Sequence, residues 1–292
     1  MMQLNHVVVD TPPRDAASVV LLRDGAAGLE VFLLKRHGMS DVLGGMYVFP
    51  GGKLDPEDAD PGTLRRLDMP VQALHAALGE PDLDEQIAAA FFVAACRETF
   101  EESGVLLARG ADSARAAAAT ALSRGGAGFA AVLERFDLTL ACSRVTPWSR
   151  WVTPRVPSLM NKRFDVRFFA AVVPRDQVAT HDNHEATESV WLTPRAALEQ
   201  YWAGRIGIAP PQLMSLVELA HHASAAEVLD PARRCWPRVI EPESFEREAT
   251  RVTAYPGDAR HARGERVMPG PTRLIYRNQR FEPFGGFEEF FA

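Results

Sequence analysis

Apolar and polar positions along the chain fall first into short blocks and then into longer helical rows. Residues 18–23 (SVVLLR) and 29–36 (LEVFLLKR) are β-branched and aliphatic runs around Asp24-Gly25-Ala26-Ala27-Gly28, which predicts a hairpin. Tyr47-Val48-Phe49 reads as a strand that stops at Pro50-Gly51-Gly52. Residues 55–83 change character, with prolines, glycines and many acids, and read as a long surface insertion holding one short helix around Val71–Leu78. Asp84 is placed to cap a helix that runs to Ser103 and stops at Gly104. One or two Ala-rich helices are expected over 112–136. A second strand set follows at about 148–153, 164–173 and 188–192, and beyond Arg167 the middle one is apolar on both faces, which predicts a central position in a covered sheet. Pro194–Trp202 and Pro211–Glu227 read as two further helices, with strand-like patches later at 249–255 and 272–277.

Composition narrows the function classes. Apolar residues are 47% and charged residues 24% of 292, ordinary globular usage. Thirty-two Lys+Arg against 38 Asp+Glu give −6, no support for a nucleic-acid partner, since the phosphate backbone is held by clustered cations. The most apolar stretch, Gln86–Cys96, is 11 residues without a charge, where a membrane span needs about 20, so no membrane association is expected. No secretory signal is readable at the start, and Phe290-Phe291-Ala292 is not a peroxisomal address. Cys96, Cys142 and Cys235 are odd in number and far apart, as reduced thiols would be, and the cytoplasm is the expected compartment.

Four motif-like runs fail on context. Gly126-Ala127-Gly128 follows a polar helix and not a strand, and Gly52-Lys53-Leu54 lacks the Ser or Thr of a phosphate loop. His184-Glu185-Ala186-Thr187-Glu188 lacks the second histidine of a zinc-protease helix, and His221-His222 points two ways from one helix.

Arg97-Glu98-Thr99-Phe100-Glu101-Glu102-Ser103-Gly104 is different in kind. At about 100° per residue, Glu98 and Glu102 lie about 40° apart and Glu101 falls within about 60° of Glu98. The same face runs back through Ala95, Ala94, Phe91 and Ile87, while the other side carries Ala89, Val93, Cys96 and Phe100. A helix apolar all round is buried, so the acids extend a buried row. They also stand in the last turns, where the helix dipole disfavours anions, and they repel one another at i, i+4. Arg97 can neutralise one acid but not all three. A hard divalent cation held by carboxylates, Mg²⁺ or Mn²⁺, is the natural complement, and Mg²⁺ bound in this way partners substrate phosphates.

The run resembles the signature of the Nudix hydrolases: glycine, five residues, Glu, seven residues, then R-E-U-x-E-E-x-G-U with U aliphatic. Arg97-Glu98, Glu101-Glu102, Gly104 and Val105 fit the ending, and Pro50-Gly51-Gly52 fits the glycine loop. Thr99 replaces an aliphatic residue, and Asp58 stands where the first Glu belongs. Arg97 follows Asp58 by 39 positions (97 minus 58) where the signature has 8, so 31 residues, 59–89, interrupt the box. A longer loop between two intact halves costs little to close. Such an interrupted box is similar to that of the peroxisomal coenzyme A diphosphatase subgroup. Trp151-Val152-Thr153-Pro154, Arg163-Phe164-Asp165, Trp191-Leu192-Thr193-Pro194 and Pro210-Pro211-Gln212 add to the likeness. A second coenzyme A-linked pattern is met at Gly45–Gly52 and Arg36, but Asp41 stands where its second arginine would be.

The resemblance implies a Nudix-type α/β/α sandwich with a central mixed sheet, helical insertions and a C-terminal extension. It covers roughly residues 15–230, within a domain expected over 1–230 that holds the insertion, and leaves 231–292 as an extension expected to pack on the same domain. It implies hydrolysis of a diphosphate that joins a nucleoside to another group, coenzyme A or an acyl-coenzyme A by preference. ADP-ribose, dinucleotides, nucleotide sugars and nucleoside triphosphates stay open as substrates, as does a nucleotide sensor that binds without cleaving. Carried over by position, Glu98, Glu101, Glu102 and the Gly51 carbonyl are metal ligands, and Glu98 is a ligand or the base. Arg97 orients the acids, and Glu188 or Glu185 is a second candidate base. Arg36, Arg155, Lys162, Arg163 and Gly52 are candidate substrate contacts, and Asp58 is left between a peripheral metal role and none. A small-molecule diphosphate is the expected partner, and monomer and homodimer both stay open. The insertion, with so little to bury, is expected beside the cleft and outside the core.

Overall fold

The computed structural model describes residues 4–40, 42–182 and 184–292. Strands β1 (Arg14–Gly25), β2 (Gly28–Arg36), β3 (Tyr47–Val48) and β4 (Gly51–Lys53) come first, then helices α1 (Pro61–Leu64), α2 (Val71–Leu78) and α3 (Glu85–Ser103). Next are β5 (Ala108–Arg109), α4 (Ser113–Arg124), α5 (Phe129–Arg135), β6 (Thr139–Leu140), β7 (Thr146–Val152), β8 (Phe164–Val172) and β9 (Ala186–Leu192). Helices α6 (Pro194–Trp202), α7 (Pro210–Leu219) and α8 (Ala225–Ala232) lead to β10 (Arg238–Ile240), β11 (Glu243–Arg247), β12 (Thr250–Ala254), β13 (Arg273–Arg277) and β14 (Arg280–Glu282).

The main sheet runs β10-β7-β8-β1-β2-β3, with β4 on β1 and β9 on β2. It is mixed: β1 and β8 are parallel, β1 and β2 antiparallel. Alternate side chains separate two cores, as the period of a strand requires. Ala17, Val19 and Leu21 join Phe32, Leu34 and the apolar length of α3 on one face. Val20, Leu22, Val31 and Leu33 join α6, α7 and α8 on the other. Helices thus cover both faces, the expected α/β/α sandwich. In β8, Phe169 and Ala171 enter the first core and Phe168 and Ala170 the second, and the strand lies between β7 and β1, as its two-faced apolar run predicts. The C-terminal residues Tyr255, Leu274, Phe281 and Phe290 share the second core.

Two sequence expectations need correction. The single helix over Pro211–Glu227 is two, α7 and α8, because Ser224 starts a new one: its hydroxyl accepts from the Glu227 N–H, and Glu227 reaches back to the Ala223 N–H. That is the reciprocal logic of a capping box, set one residue early. The insertion, in turn, is not a surface appendage. Leu74 and Leu78, one turn apart on α2, lie in the first core, with Leu64, Leu67 and Met69 packed against it. Just past α2, Glu80 pairs with Arg150 and Arg167, each at 2.7 Å, and the buried Arg167 also meets Asp15 and Asp165. One of the acids that suggested a solvated loop, Glu80, meets the buried cation of Arg167.

Candidate active site

Strand β1 forks on one edge. Its Leu22–Gly25 end pairs with β2 and its Ala16–Ser18 segment with β4, so the glycine loop Pro50-Gly51-Gly52 enters the gap between them. The loop must come close to both neighbours. A Cβ on Gly51 would stand 2.5 Å from the Ala17 carbonyl oxygen, and one on Gly52 would run into the Glu98 carboxylate. Helix α3 supplies that carboxylate. Asp84 starts the helix, its carboxylate accepting from the Gln86 and Ile87 N–H groups, and Gly104 ends it at φ 70°. Between them Phe91, Ala94 and Ala95 are fully buried, which carries the acidic turns into the protein.

The Gly51 N–H donates to Glu102 Oε2 at 2.9 Å, and Arg36 Nη1 lies 3.7 Å from its other oxygen. Glu102 is only 4% exposed. Arg97 binds three acids. Its Nε and Nη2 grip Asp58 in a fork, both at 2.8 Å, while Nη1 reaches Glu98 at 2.7 Å and Glu101 at 3.1 Å. Asp58 is 1% exposed and also accepts from the Asp55 N–H, so its place in the site is to hold Arg97. Burial disfavours the Arg97 cation, but Asp58, Glu98 and Glu101 outweigh it and raise its pKa. Burial pushes Glu98 up to about 7 against the pull of Arg97, with Glu101 and Glu185 adding to the rise. Burial and the Glu98 charge push Glu102 up to about 8, against the Gly51 N–H and Arg36. Glu101 is raised too, by burial first.

Among the described residues no three carboxylates, imidazoles or thiols already converge at ligating distance, and the acids are instead paired with Arg97 and Arg36. The donors nevertheless fit a hard divalent cation. They are carboxylate oxygens on one helix turn, and burial and mutual repulsion leave the charge on two of them unfavourable. Such groups bind protons in the folded protein that they release when unfolded. Stability without a cation is therefore expected to fall as pH rises from the ordinary carboxylate range through about 7 and 8. A thermal melt series in EDTA should show Tm dropping over that window, and Mg²⁺ at the upper end should recover several degrees, since 1 kcal/mol is worth roughly 2–4 °C at this size. A flat profile, or one that rises with pH, would contradict the site's electrostatics.

A cleft of about 890 Å³ opens at the fork and runs across β1 and β8 to Trp151 on β7. Arg36, Gly51, Gly52, Arg97, Glu98 and Lys162 line it, as the sequence led one to expect, and Glu101 and Glu102 flank Glu98 on α3. Arg36 Nε is buried with no hydrogen-bond partner among the described residues. Of the two candidate bases, Glu185 lines the cleft, 3.2 Å from Arg36 Nη2. Glu188 instead pairs with Lys35 at 3.4 Å and accepts from Tyr47, whose pKa rises with burial and that bond. Arg163 is turned to the backbone, its Nε donating to the Thr153 carbonyl at 3.0 Å, and Arg155 pairs with Asp10 on the surface. Asp41 lies outside the described residues. Phe168, which follows the Arg163-Phe164-Asp165 segment, lines the cleft as well, and so do Ser244 and Thr253, which the sequence did not single out. The last two sit on the C-terminal sheet, about 200 residues from the glycine loop, with no local pattern to mark them.

Comparison with known proteins agrees with this geometry. The family described as the NUDT19 Nudix domain matches residues 10–219. Acyl-coenzyme A diphosphatase NUDT19 of Xenopus laevis is 27% identical over 241 residues, 70% of this chain and 63% of that one. The Homo sapiens protein of the same name is 26% identical over 241 residues, 70% of this chain and 64% of that one. The chain thus spans about three-fifths of the length of these relatives. A crystal structure of a NUDIX hydrolase from Alicyclobacillus acidocaldarius superposes with a TM-score of 0.59 at 27% identity, covering 78% of this chain and 98% of that one. With the forked β1, the glycine loop and the acidic turns of α3 all inside the matched residues, the chain belongs to the Nudix hydrolases, in the family of the NUDT19 Nudix domain.

Proposed function

We propose that the protein is a Mg²⁺- or Mn²⁺-dependent diphosphatase whose substrate is coenzyme A or an acyl-coenzyme A, cut to adenosine 3′,5′-bisphosphate and a 4′-phosphopantetheine product. The observation that carries the reading is the pairing of buried, mutually repelling carboxylates with a cleft much larger than a diphosphate needs. The similarity to acyl-coenzyme A diphosphatases supports the choice of substrate. Glu98, Glu101, Glu102 and the Gly51 carbonyl would hold the cation. When bound, it neutralises charge on the diphosphate oxygens and favours ionisation of the attacking water. Glu98 would serve as such a ligand or as the base that takes the proton from that water, with Glu185, which lines the cleft beside Arg36, as the second candidate base. Arg36 lines the cleft beside Glu102, where its guanidinium can meet a diphosphate oxygen, and Arg97, fixed by Asp58, keeps Glu98 and Glu101 in place. The free thiols Cys96, Cys142 and Cys235 suit the cytoplasm.

The test is kcat/KM for coenzyme A, acetyl-coenzyme A, reduced dinucleotide and ADP-ribose under one set of metal conditions. Either coenzyme A species is expected to lead the other two by at least tenfold, about 1.4 kcal/mol of transition-state binding. If ADP-ribose or the dinucleotide leads by that margin, the substrate is wrong and the hydrolase reading stands. If nothing is cleaved while ligands still bind, the protein is a sensor.

A further inference from the structure

Four Lys and Arg side chains among the described residues line the cleft: Arg36, Lys53, Arg97 and Lys162. The two arginines stand at the box and already face carboxylates, Glu102 and Glu185 for Arg36 and Asp58, Glu98 and Glu101 for Arg97. The two lysines stand elsewhere. Lys53 of β4 faces Ala16 of β1, and Ala16 faces Val166 of β8. Side chains opposite one another on paired strands share a face of the sheet. Val166 packs against the second core, while Ala17, next to Ala16, lies in the first. Lys53 therefore rises on the second-core face, whereas Gly52 before it abuts Glu98.

Phe164 belongs to the same face, because alternate residues of β8 share it with Val166 and Phe168. Lys162 comes two residues earlier. Two strand spacings and two residues along β8 put the Phe164 Cα roughly 12 Å from that of Lys53. Four aromatic residues line the cleft, and three of them are buried in contact: Phe49 and Trp151 each pack on Phe168, at 6.2 and 6.3 Å between centroids. Phe164 is left half-buried, and its ring meets no other ring among the described residues. Lys53 is exposed and makes no ion pair among the described residues, and Lys162 is half-buried. Asp55, an acid that lines the cleft near Lys53, is engaged as a cap, accepting from the Glu57 N–H. One exposed lysine is a solvated charge. Two lysines that flank a half-open ring inside a cleft suit a nucleotide, since aromatic faces take bases and an ammonium takes phosphate as a point charge.

We propose that this limb of the cleft seats the nucleoside of the substrate, with the purine on Phe164 and a ribose 3′-phosphate between Lys53 and Lys162. The lysines are then specificity-determining: they read a phosphate that takes no part in the reaction. Lys53 follows the glycine loop directly, so the phosphate it binds lies close to the diphosphate, as a substituent of the same ribose does. The inference rests on the diphosphatase reading and deepens it by naming what recognises the nucleoside end.

The test compares coenzyme A with 3′-dephospho-coenzyme A, which differ by that phosphate alone. Wild-type kcat/KM is expected to favour coenzyme A about tenfold or more, chiefly through KM, as bonds to a charged group that are equal in ground and transition states would give. Lys53→Met and Lys162→Met remove the charge and keep the stem. Each should lower the ratio, and the double variant should bring it near one. Lys162→Arg should keep most of it. Phe164→Leu should raise KM for both substrates alike, because both carry the purine. A wild-type ratio near one, or a ratio that the double variant does not move, overturns the subsite. Adenosine 3′,5′-bisphosphate and adenosine 5′-monophosphate, which have no diphosphate, separate the two readings. Isothermal titration in EDTA should show the bisphosphate binding the wild type about tenfold tighter, with the difference lost in the double variant. If the two bind the wild type equally, the subsite is wrong. If the preference is there and the double variant abolishes it while coenzyme A is not hydrolysed, the diphosphatase reading fails and the subsite stands.

Discussion

Glu98→Gln and Glu102→Gln are each expected to lower kcat by at least about 10²-fold, with the fold intact and the apo protein no less stable. The amide keeps the shape of the side chain and removes a charge that stabilises the transition state through the cation, an effect worth about 10²–10³ when a single electrostatic contact is lost. The stability half follows from the raised pKa values, about 7 for Glu98 and about 8 for Glu102. Above those values the folded protein carries charges that burial and mutual repulsion disfavour, so a neutral amide relieves the fold just where it disables the chemistry. Glu101→Gln should cost activity in the same direction, with a smaller gain in stability because that side chain is 38% exposed. Arg97→Met gives the contrasting pattern. Asp58, at 1% exposure, would be left buried without its partner, and both stability and activity should fall. Steady-state kinetics with Mg²⁺ beside melts in EDTA distinguishes the two outcomes. Near-wild-type turnover in Glu102→Gln would remove it from the metal-binding set.

The box helix was legible because each of its signals is local. Asp84, the apolar row through Phe91 and Ala95, the three glutamates and Gly104 lie within 21 positions, and each has one physical meaning there. The same holds for the glycine loop and for β8, whose continuous apolar run has only one comfortable place in a sheet. Most of what failed was decided by a distant partner. The acid at Glu80 looked solvated because Arg150 and Arg167, some 70 and 87 positions on, could not be paired with it in advance. Glu188 and Glu185 were equivalent by sequence until the pairing of β2 with β9 sent one to Lys35 and brought the other beside Arg36. Arg163 was chosen for its charge, and a backbone carbonyl claimed it. The capping pair Ser224 and Glu227 was local and readable, and was missed inside a run that otherwise looked helical.

Replacing residues 59–83 with a short Gly/Ser linker is expected to abolish cooperative unfolding and not merely to retune the cleft. The segment contributes Leu74 and Leu78 to the first core, at 0% and 3% exposure, and truncating a buried leucine costs about 2–5 kcal/mol on its own. It also contributes Glu80, which accepts from Arg167 Nε and Nη2 at 3.0 and 2.7 Å while Arg150 approaches at 2.7 Å. Arg167 is 4% exposed and lies over the ring of Phe91 in α3, with its guanidinium carbon 4.2 Å from the centroid. The ion-pair network thus presses on the helix that carries the acids. Loss of both leucines and Glu80 together approaches the whole 5–15 kcal/mol that holds a typical domain folded. Single changes divide the effect. Leu74→Ala should cost about 2–5 kcal/mol. Glu80→Gln should cost less, about 1–3 kcal/mol, because Arg167 keeps Asp15 at 2.6 Å and Asp165 at 3.2 Å. Urea titrations followed by far-UV circular dichroism and tryptophan fluorescence would show these as lowered midpoints with unchanged slope. A linker variant that still unfolds in one transition near the wild-type midpoint would return the segment to the surface, with Leu74 and Leu78 adding nothing to the core they occupy.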